Sequence, residues 1–185
     1  AHSARLPVRV YFGLTPDFPE ARRRHYRFMI EGLRETLAAF SRRGIAFTGH
    51  IGAPVPGLLR AARRARMVVV DRGYLRVQRE WRQQAADALT CPLHQIEGDV
   101  IVPVELASPR QECAAATFRP KIHRLLPHFL VPPDPPPEPL PGSAPEGPSP
   151  EEFLGQADQL LNRMPDDGEL QPASYIGGPG EATRR

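Results

Sequence analysis

The chain has 185 residues, 41% hydrophobic and 24% charged, which is typical of a globular protein with room for one domain and an appendage. The two cysteines, Cys91 and Cys113, lack the spacing of a zinc site or redox pair, and no apolar run approaches the roughly 20 residues of a membrane span. The net charge of +3 combines a basic body with an acidic tail: residues 1–130 carry 21 Lys and Arg against 11 Asp and Glu, and residues 131–185 carry 3 against 10.

The N-terminal part predicts strands that alternate with helices. Residues 8–14 are rich in β-branched and aromatic side chains and predict a strand. An amphipathic helix follows, with Asp17 as its expected cap and Gly44 at its end. Residues 45–51 predict a second strand, and residues 55–65 predict a short helix.

The same alternation continues toward the middle of the chain. Residues 67–71 form a compact apolar run ending in Asp71, as expected of a strand buried on both faces of a parallel sheet. Residues 75–89 predict a helix, and residues 93–96 and 100–104 supply further strand material. This order predicts an α/β protein with a Rossmann-like, doubly wound parallel sheet.

Helices and a linker are predicted beyond the sheet. Ser108 is expected to cap a short helix through Ala116, and residues 121–130 predict another helix that Pro127 bends. Ten of the 23 prolines fall between Pro132 and Pro150, which predicts a linker.

A capping box over residues 149–152 then begins a helix through Met164. We therefore divide the chain into an α/β domain over residues 1–130, a proline-rich linker over 131–150, and a helix with a tail over 151–185.

The motifs assign no catalytic and no metal-binding residue. The chain contains neither Gly-x-Gly-x-x-Gly after a strand nor a Gly-Lys-Ser/Thr phosphate loop, its histidines lack ligand spacing, and no nucleophile has a signature base. Of the 24 Lys and Arg residues of the chain, 23 are Arg, and the basic body permits weak non-specific nucleic-acid binding. The cysteines are expected to be buried thiols in the reducing cytoplasm.

Ligands of open parallel sheets bind beyond the carboxyl ends of the strands. In the loop after residues 67–71, the side chains of Asp71, Tyr74 and Arg76 are suited to a planar polar ligand. Tyr stacks on a ring, Asp accepts from a ring N–H or a ribose hydroxyl, and Arg pairs with an acidic group. The alternative is that Asp71 caps the helix at Leu75 and that Arg76 is solvated.

A series of motifs from Leu6 to Leu130, and more weakly to Thr183, resembles the N-terminal α/β domain of class II cyclobutane-pyrimidine-dimer photolyases. The matching residues are Phe12, Leu14, Pro16, Phe18, Ala21, Arg24–Tyr26, Phe28, Met29, Gly32, Leu33, Gly52, Pro54, Asp71, Arg76, Trp81, Ile101–Pro103, Ala107, Ser108, Gln111, Glu112, Thr117, Arg119, Lys121, Ile122, Tyr175, Gly177 and Gly178. In this family a first strand and helix precede the segment that matches Val8. We therefore expect either a strand-wide gap in the sheet or two poorly joined half-sheets, with marginal stability.

The resemblance implies a light-dependent DNA repair enzyme, deoxyribodipyrimidine photo-lyase. Its FAD lies in a helical domain, expected to be absent here, which also binds UV-damaged DNA. The α/β domain would hold an antenna chromophore, a deazaflavin, folate or flavin, with Asp71, Tyr74 and Arg76 as candidate residues. Glu112, Arg119 and Lys121 would serve docking and capping.

We therefore expect a cytoplasmic monomer without membrane association that is inactive alone, either a natural truncation or a fragmentary gene product. Two alternatives stay open: a stand-alone Rossmann-like chromophore- or nucleotide-binding module, and the N-terminal domain of a photolyase-like cryptochrome.

Overall fold

A computed structural model describes residues 6–132, 147–165 and 168, and it divides the chain into two units. The first unit comprises residues 1–64 and 137–185, and the second comprises residues 65–136. The described elements are β1 (Arg9–Leu14), α1 (Arg23–Arg42), β2 (Ala46–Ile51), α2 (Pro54–Ala61), β3 (Val68–Asp71), α3 (Arg76–Ala88), β4 (Leu93–Ile96), α4 (Val104–Ala107), α5 (Ala115–Phe129) and α6 (Pro150–Arg163). The motif at Tyr175 and most of the predicted linker lie outside the described residues.

Strands β1 and β2 form the parallel sheet of the first unit. Their register runs from Arg9 opposite Ala46 to Leu14 opposite Ile51. The amide of Gly52 extends the ladder by donating to the Leu14 carbonyl at 2.8 Å. Both strands lie where the β-branched and aromatic runs predicted them.

Helix α1 begins later than predicted, and the assignment of Asp17 as its cap is wrong. The helix starts at Arg23 because the residues before it form turns, in which Glu20 has a φ of 60°. The Tyr26 hydroxyl donates to the carbonyl of Thr15 at 2.8 Å and so ties these turns to the buried face of α1.

Helix α6 packs into the core of the first unit. The Phe153 side chain is 0% exposed, and its ring lies edge-on to Phe12 and Phe47, with centroid distances of 6.2 and 5.5 Å. A Cβ at Gly49 would overlap the Phe153 ring, so the absence of a side chain at this β2 position lets the helix approach the strand. On the helix side, Arg34 of α1 pairs with Asp158 through both carboxylate oxygens, at 2.5 and 2.6 Å.

The start of α6 is the predicted capping box. The Ser149 hydroxyl accepts from the Glu152 amide at 3.2 Å, and the Glu152 carboxylate accepts from the Ser149 amide at 2.7 Å. Two otherwise unpaired amides of the first turn are thereby satisfied.

Strands β3 and β4 form a second parallel pair, with Val68 opposite Leu93 and Asp71 opposite Ile96. The expectation that β3 is buried on both faces is wrong, because Val69 and Ile96 share one face and are each 54% exposed. The α/β class is confirmed. The described strands form two separate sheets, in agreement with the expected half-sheets, and the Rossmann-like order stays a prediction.

The segment after β4 differs most from the sequence-based prediction. Residues 100–104 do not form a strand; instead Val104–Ala107 is a single helical turn, α4. Ser108 follows this turn rather than opening a helix, because its hydroxyl binds Glu112 at 2.8 Å. Helix α5 starts only at Ala115 and continues to Phe129 with Pro120 and Pro127 inside it.

The expectation of two buried thiols is also wrong. Cys91 is half-buried and Cys113 is exposed, and both are free. Among the helices that the structure describes, none has the length and apolar character needed to cross a membrane.

Candidate functional site

The candidate site lies at the carboxyl ends of β3 and β4. Arg72 and Tyr74 follow β3, and Glu97 follows β4 directly. The Arg72 amide donates to the Ile96 carbonyl at 2.9 Å, so the two loops leave the sheet side by side. Because the strands are parallel, both loops project from the edge where ligands of such sheets bind.

Four side chains form one polar network there, the Arg72 cluster, which consists of Arg72, Tyr74, Glu97 and Glu105. The Arg72 guanidinium donates a hydrogen bond to Glu105, and its Nε lies 3.9 Å from Glu97 Oε2. The guanidinium carbon lies 5.8 Å from the centroid of the Tyr74 ring, within range of a cation–π contact. The Tyr74 hydroxyl donates to the same oxygen of Glu97.

Hydrogen bonds shift the pKa values of three members of the Arg72 cluster, Arg72, Tyr74 and Glu105. Hydrogen bonding to Glu97 raises the pKa of Tyr74, so the phenol stays neutral. The hydrogen bond from Arg72 lowers the pKa of Glu105, and the same bond raises the pKa of Arg72. One guanidinium therefore faces two carboxylates.

Glu97 has an oxygen without a partner. Its side chain is 11% exposed, and its Oε1 is buried with no hydrogen-bond partner among the residues that the structure describes. A buried polar atom of this kind is costly unless a donor satisfies it. This oxygen is the position in the cluster that a ligand N–H or O–H would satisfy.

Of the three residues singled out in the sequence, only Tyr74 belongs to the Arg72 cluster. Asp71 is exposed at the end of β3. Arg76 is 93% exposed at the side chain and pairs with Glu80 at 3.4 Å. The alternative role of Asp71 as a helix cap is not observed, because the Leu75 amide donates to the Gln78 side chain at 3.1 Å.

Sequence reasoning missed Arg72, Glu97 and Glu105. The sequence position of Glu97 could have identified it, because Glu97 directly follows the predicted strand 93–96. Asp71 was selected for the same reason, since it ends the preceding predicted strand. Glu105 carried none, since the apolar run before it was interpreted as a strand.

The cluster is suited to binding rather than to bond chemistry. It offers an aromatic face, a cation and a carboxylate oxygen, but its one hydroxyl, that of Tyr74, has a raised pKa and is a poor nucleophile. Over residues 6–132 and 147–165, no group of three or more His, Cys, Asp or Glu side chains is arranged to hold a metal ion.

A second polar network, the Glu112 cluster, joins Ser108, Glu112, Thr117 and Lys121. The hydroxyls of Ser108 and Thr117 each donate to the Glu112 carboxylate at 2.8 Å. Lys121 pairs with the same carboxylate and lies 3.1 Å from Ser108 Oγ. The Glu112 side chain is 10% exposed, and its hydrogen bonds, that from Lys121 foremost, lower its pKa to about 2.

A serine beside a lysine raises the question of nucleophilic catalysis. Lys121 Nζ is the hydrogen-bond donor to Ser108 Oγ, and the Ser108 hydroxyl donates in turn to Glu112, whose lowered pKa makes it a poor base. The Glu112 cluster is therefore a structural clamp between the end of α4 and helix α5.

A third polar group lies where β2 meets α2. The Tyr11 hydroxyl donates to the Pro54 carbonyl at 2.7 Å, and burial raises the pKa of Tyr11 to about 12. The Arg60 guanidinium lies 3.3 and 3.5 Å from the two ring nitrogens of His50. Burial, and then the charge of Arg60, lowers the pKa of His50, so this imidazole is neutral at physiological pH.

Comparison with known proteins gives one consistent family. The DNA photolyase family model matches residues 1–141. A deoxyribodipyrimidine photo-lyase of Methanothermobacter thermautotrophicus is 51% identical over 132 residues, covering 71% of this chain and 30% of the relative. Photo-lyases of Potorous tridactylus and Oryza sativa are 37% and 33% identical over 69% and 71% of the chain, and over 25% and 28% of their own lengths. The chain thus spans between a quarter and a third of these curated relatives.

Proposed function

Because this chain belongs to the DNA photolyase family, we propose that it supplies the N-terminal α/β domain of a light-dependent DNA repair enzyme. The observation that carries the proposal is the 51% identity to a deoxyribodipyrimidine photo-lyase over 71% of the chain. In such an enzyme the damaged DNA is the substrate of the whole protein. The match to photo-lyases supports repair over a stand-alone binding module.

The turn after β1 is not suited to the pyrophosphate of the catalytic FAD that the family implies. The turn between β1 and α1, residues 15–22, contains no glycine, so its backbone cannot approach a dinucleotide pyrophosphate closely. We therefore assign no step of the repair reaction to these residues. Their contribution is light harvesting and packing.

For light harvesting, the Arg72 cluster is the proposed site of an antenna chromophore, a deazaflavin, folate or flavin. The Tyr74 ring is 42% exposed and offers a stacking face, and Glu97 Oε1, a buried acceptor without a partner among the described residues, would accept from a ring N–H of the bound chromophore. Asp71 and Arg76 flank this segment and complete the candidate set. The chromophore supplies light absorption, and the chain supplies its position.

For packing, the Glu112 cluster together with Arg119 is the proposed docking and capping element. Its hydrogen bonds hold the segment between α4 and α5, which otherwise lacks secondary structure, in one conformation. The free thiols of Cys91 and Cys113 support a reducing, cytoplasmic setting.

A chimera tests the proposed function. The matching segment of the Methanothermobacter relative is replaced by that of this chain, and repair of a thymine-dimer oligonucleotide is followed under blue light and in the dark. We expect light-dependent repair by the chimera and none by the 185 residues alone with FAD. A folded, FAD-loaded chimera without repair would contradict the domain assignment, and turnover by the isolated chain would contradict its non-catalytic role.

A further inference from the structure

Arg72 has two carboxylate partners of very different exposure. Glu97 is 11% exposed at its side chain and Glu105 is 72% exposed, while Arg72 itself is 23% exposed. Exposed ion pairs stabilise a protein little, because solvent screens them and both side chains lose freedom. Glu105 is therefore the partner that a competing anion can displace, and Glu97 is the fixed one.

The element that carries Glu105 is a weak anchor for this contact. Helix α4 is a single turn, in which the amides of Leu106 and Ala107 share the Pro103 carbonyl at 3.0 Å each. Ala107 is 4% exposed and holds the turn, whereas Val104 and Leu106 are exposed beside Glu105. The Glu105 side chain can leave Arg72 without uncovering core.

The surroundings of Arg72 define the ligand that would take the place of Glu105. The Tyr74 ring lies beside the guanidinium and presents an aromatic face, and Glu97 Oε1 is a buried acceptor without a partner among the described residues. A planar heterocycle on Tyr74 with an anionic side chain would place its negative charge at Arg72. A phosphate suits the planar fork of Arg better than a single carboxylate oxygen does.

We propose that Arg72 binds the anionic group, a phosphate or carboxylate, of a planar aromatic ligand, and that Glu105 is an exchangeable counter-ion which occupies Arg72 until that ligand arrives. This inference rests on the proposed chromophore site at the Arg72 cluster. It adds to that site the requirement that the ligand carry an anionic group, and it identifies Glu105 as the side chain that competes with this group for Arg72.

Two flavins that differ only by a phosphate test the inference. Dissociation constants of FMN and riboflavin are measured by flavin fluorescence with the full chain, and the riboflavin-to-FMN ratio is compared between variants. We expect Glu105→Gln to raise the ratio about tenfold by removing the competitor, and Arg72→Gln to bring it to about one. The matched control Arg27→Gln removes a cation of α1 that is paired with Glu31 and should leave the ratio unchanged.

The outcomes separate the inference from the proposed function. If both flavins bind and Glu105→Gln leaves the ratio unchanged, the counter-ion role is wrong while the chromophore site stands. If neither flavin binds any variant, the assignment of a flavin to the chromophore site and the inference both fail. Should Arg72→Gln not fold, as judged by circular dichroism, the exposed Glu105→Gln variant decides alone.

Discussion

The Glu112 carboxylate accepts three hydrogen bonds, from Ser108, Thr117 and Lys121. Its folded-state pKa of about 2 lies below the ordinary 4.5, so the stabilisation is complete above pH 4.5 and is lost as pH falls toward 2. We expect Glu112→Gln to be less stable than the native chain at neutral pH, and the difference between the two to shrink through this window. Thermal unfolding midpoints measured against pH by circular dichroism provide the comparison.

The control for this experiment is Glu80→Gln, which removes an exposed carboxylate from an i,i+4 pair on α3. Its midpoint should stay close to that of the native chain at every pH. A Glu112→Gln difference that does not vary between neutral pH and pH 2 would show that the ionised carboxylate adds no stability.

The candidate site was only partly predictable because its members pair across long sequence distances. Tyr74 was identified from its position after a strand, which topology alone dictates. The contact between Arg72 and Glu105 spans 33 residues and depends on where α4 forms. No local sequence pattern predicts such a pair. By residue type alone, the exposed Arg76 is as good a candidate for an anion-binding arginine as Arg72.

Among the elements, α6 depends most on a single side chain. Truncating the fully buried Phe153 removes its contacts with Phe12 and Phe47 and leaves a cavity. We expect Phe153→Ala to lower the free energy of unfolding by about 3–5 kcal/mol, a large share of the roughly 5–15 kcal/mol of an ordinary domain. Urea titration followed by far-UV circular dichroism measures the change.

Gln159→Ala is the matched control, because this exposed residue lies on the same helix. It should change the free energy of unfolding by no more than about 0.5 kcal/mol. A loss below about 1 kcal/mol for Phe153→Ala would mean that α6 contributes little to the core of the first unit.

The periodicity of apolar residues correctly predicted the helices and strands that have a buried face. It gave wrong predictions for segments in which few side chains are buried. Helix α1 was recognised because Tyr26, Ile30 and Leu37 recur on its buried side. The apolar run at residues 100–104 imitates a strand, but only Val102 is buried there, at 6% exposure. Pro103, with a φ of −52°, begins the turn of α4 instead.

For the molecule as a whole, the distribution of charge predicts weak binding to nucleic acid. Residues 36–70 contain six arginines and no Asp or Glu. Arg60 at the end of α2 and Arg63 and Arg64 in the turn after it are exposed, and none has a carboxylate partner in the described part of the chain. We expect duplex affinity to fall with salt, and the double variant Arg63→Gln, Arg64→Gln to reduce the log–log salt slope by about 0.9 per lost phosphate contact.

The matched variant Arg27→Gln, Arg76→Gln makes the same change in net charge at arginines that are already paired with glutamates four residues on. Its salt slope should equal that of the native chain, as measured by fluorescence anisotropy of a labelled duplex. Equal slopes for the two double variants would indicate a response to net charge alone, without a defined contact surface.

Helix α6 follows residues 65–136 in the chain, yet it completes a core that residues 1–64 begin. A ribosome releases the chain from its N-terminus, so Phe12 and Phe47 leave the exit tunnel long before Phe153 can cover them. The second unit is contiguous and has all its residues available by Pro136, before α6 is synthesised. The unit whose synthesis begins first is thus the last that can complete its hydrophobic core. Until α6 is available, the aromatic residues of that core are accessible to chaperones.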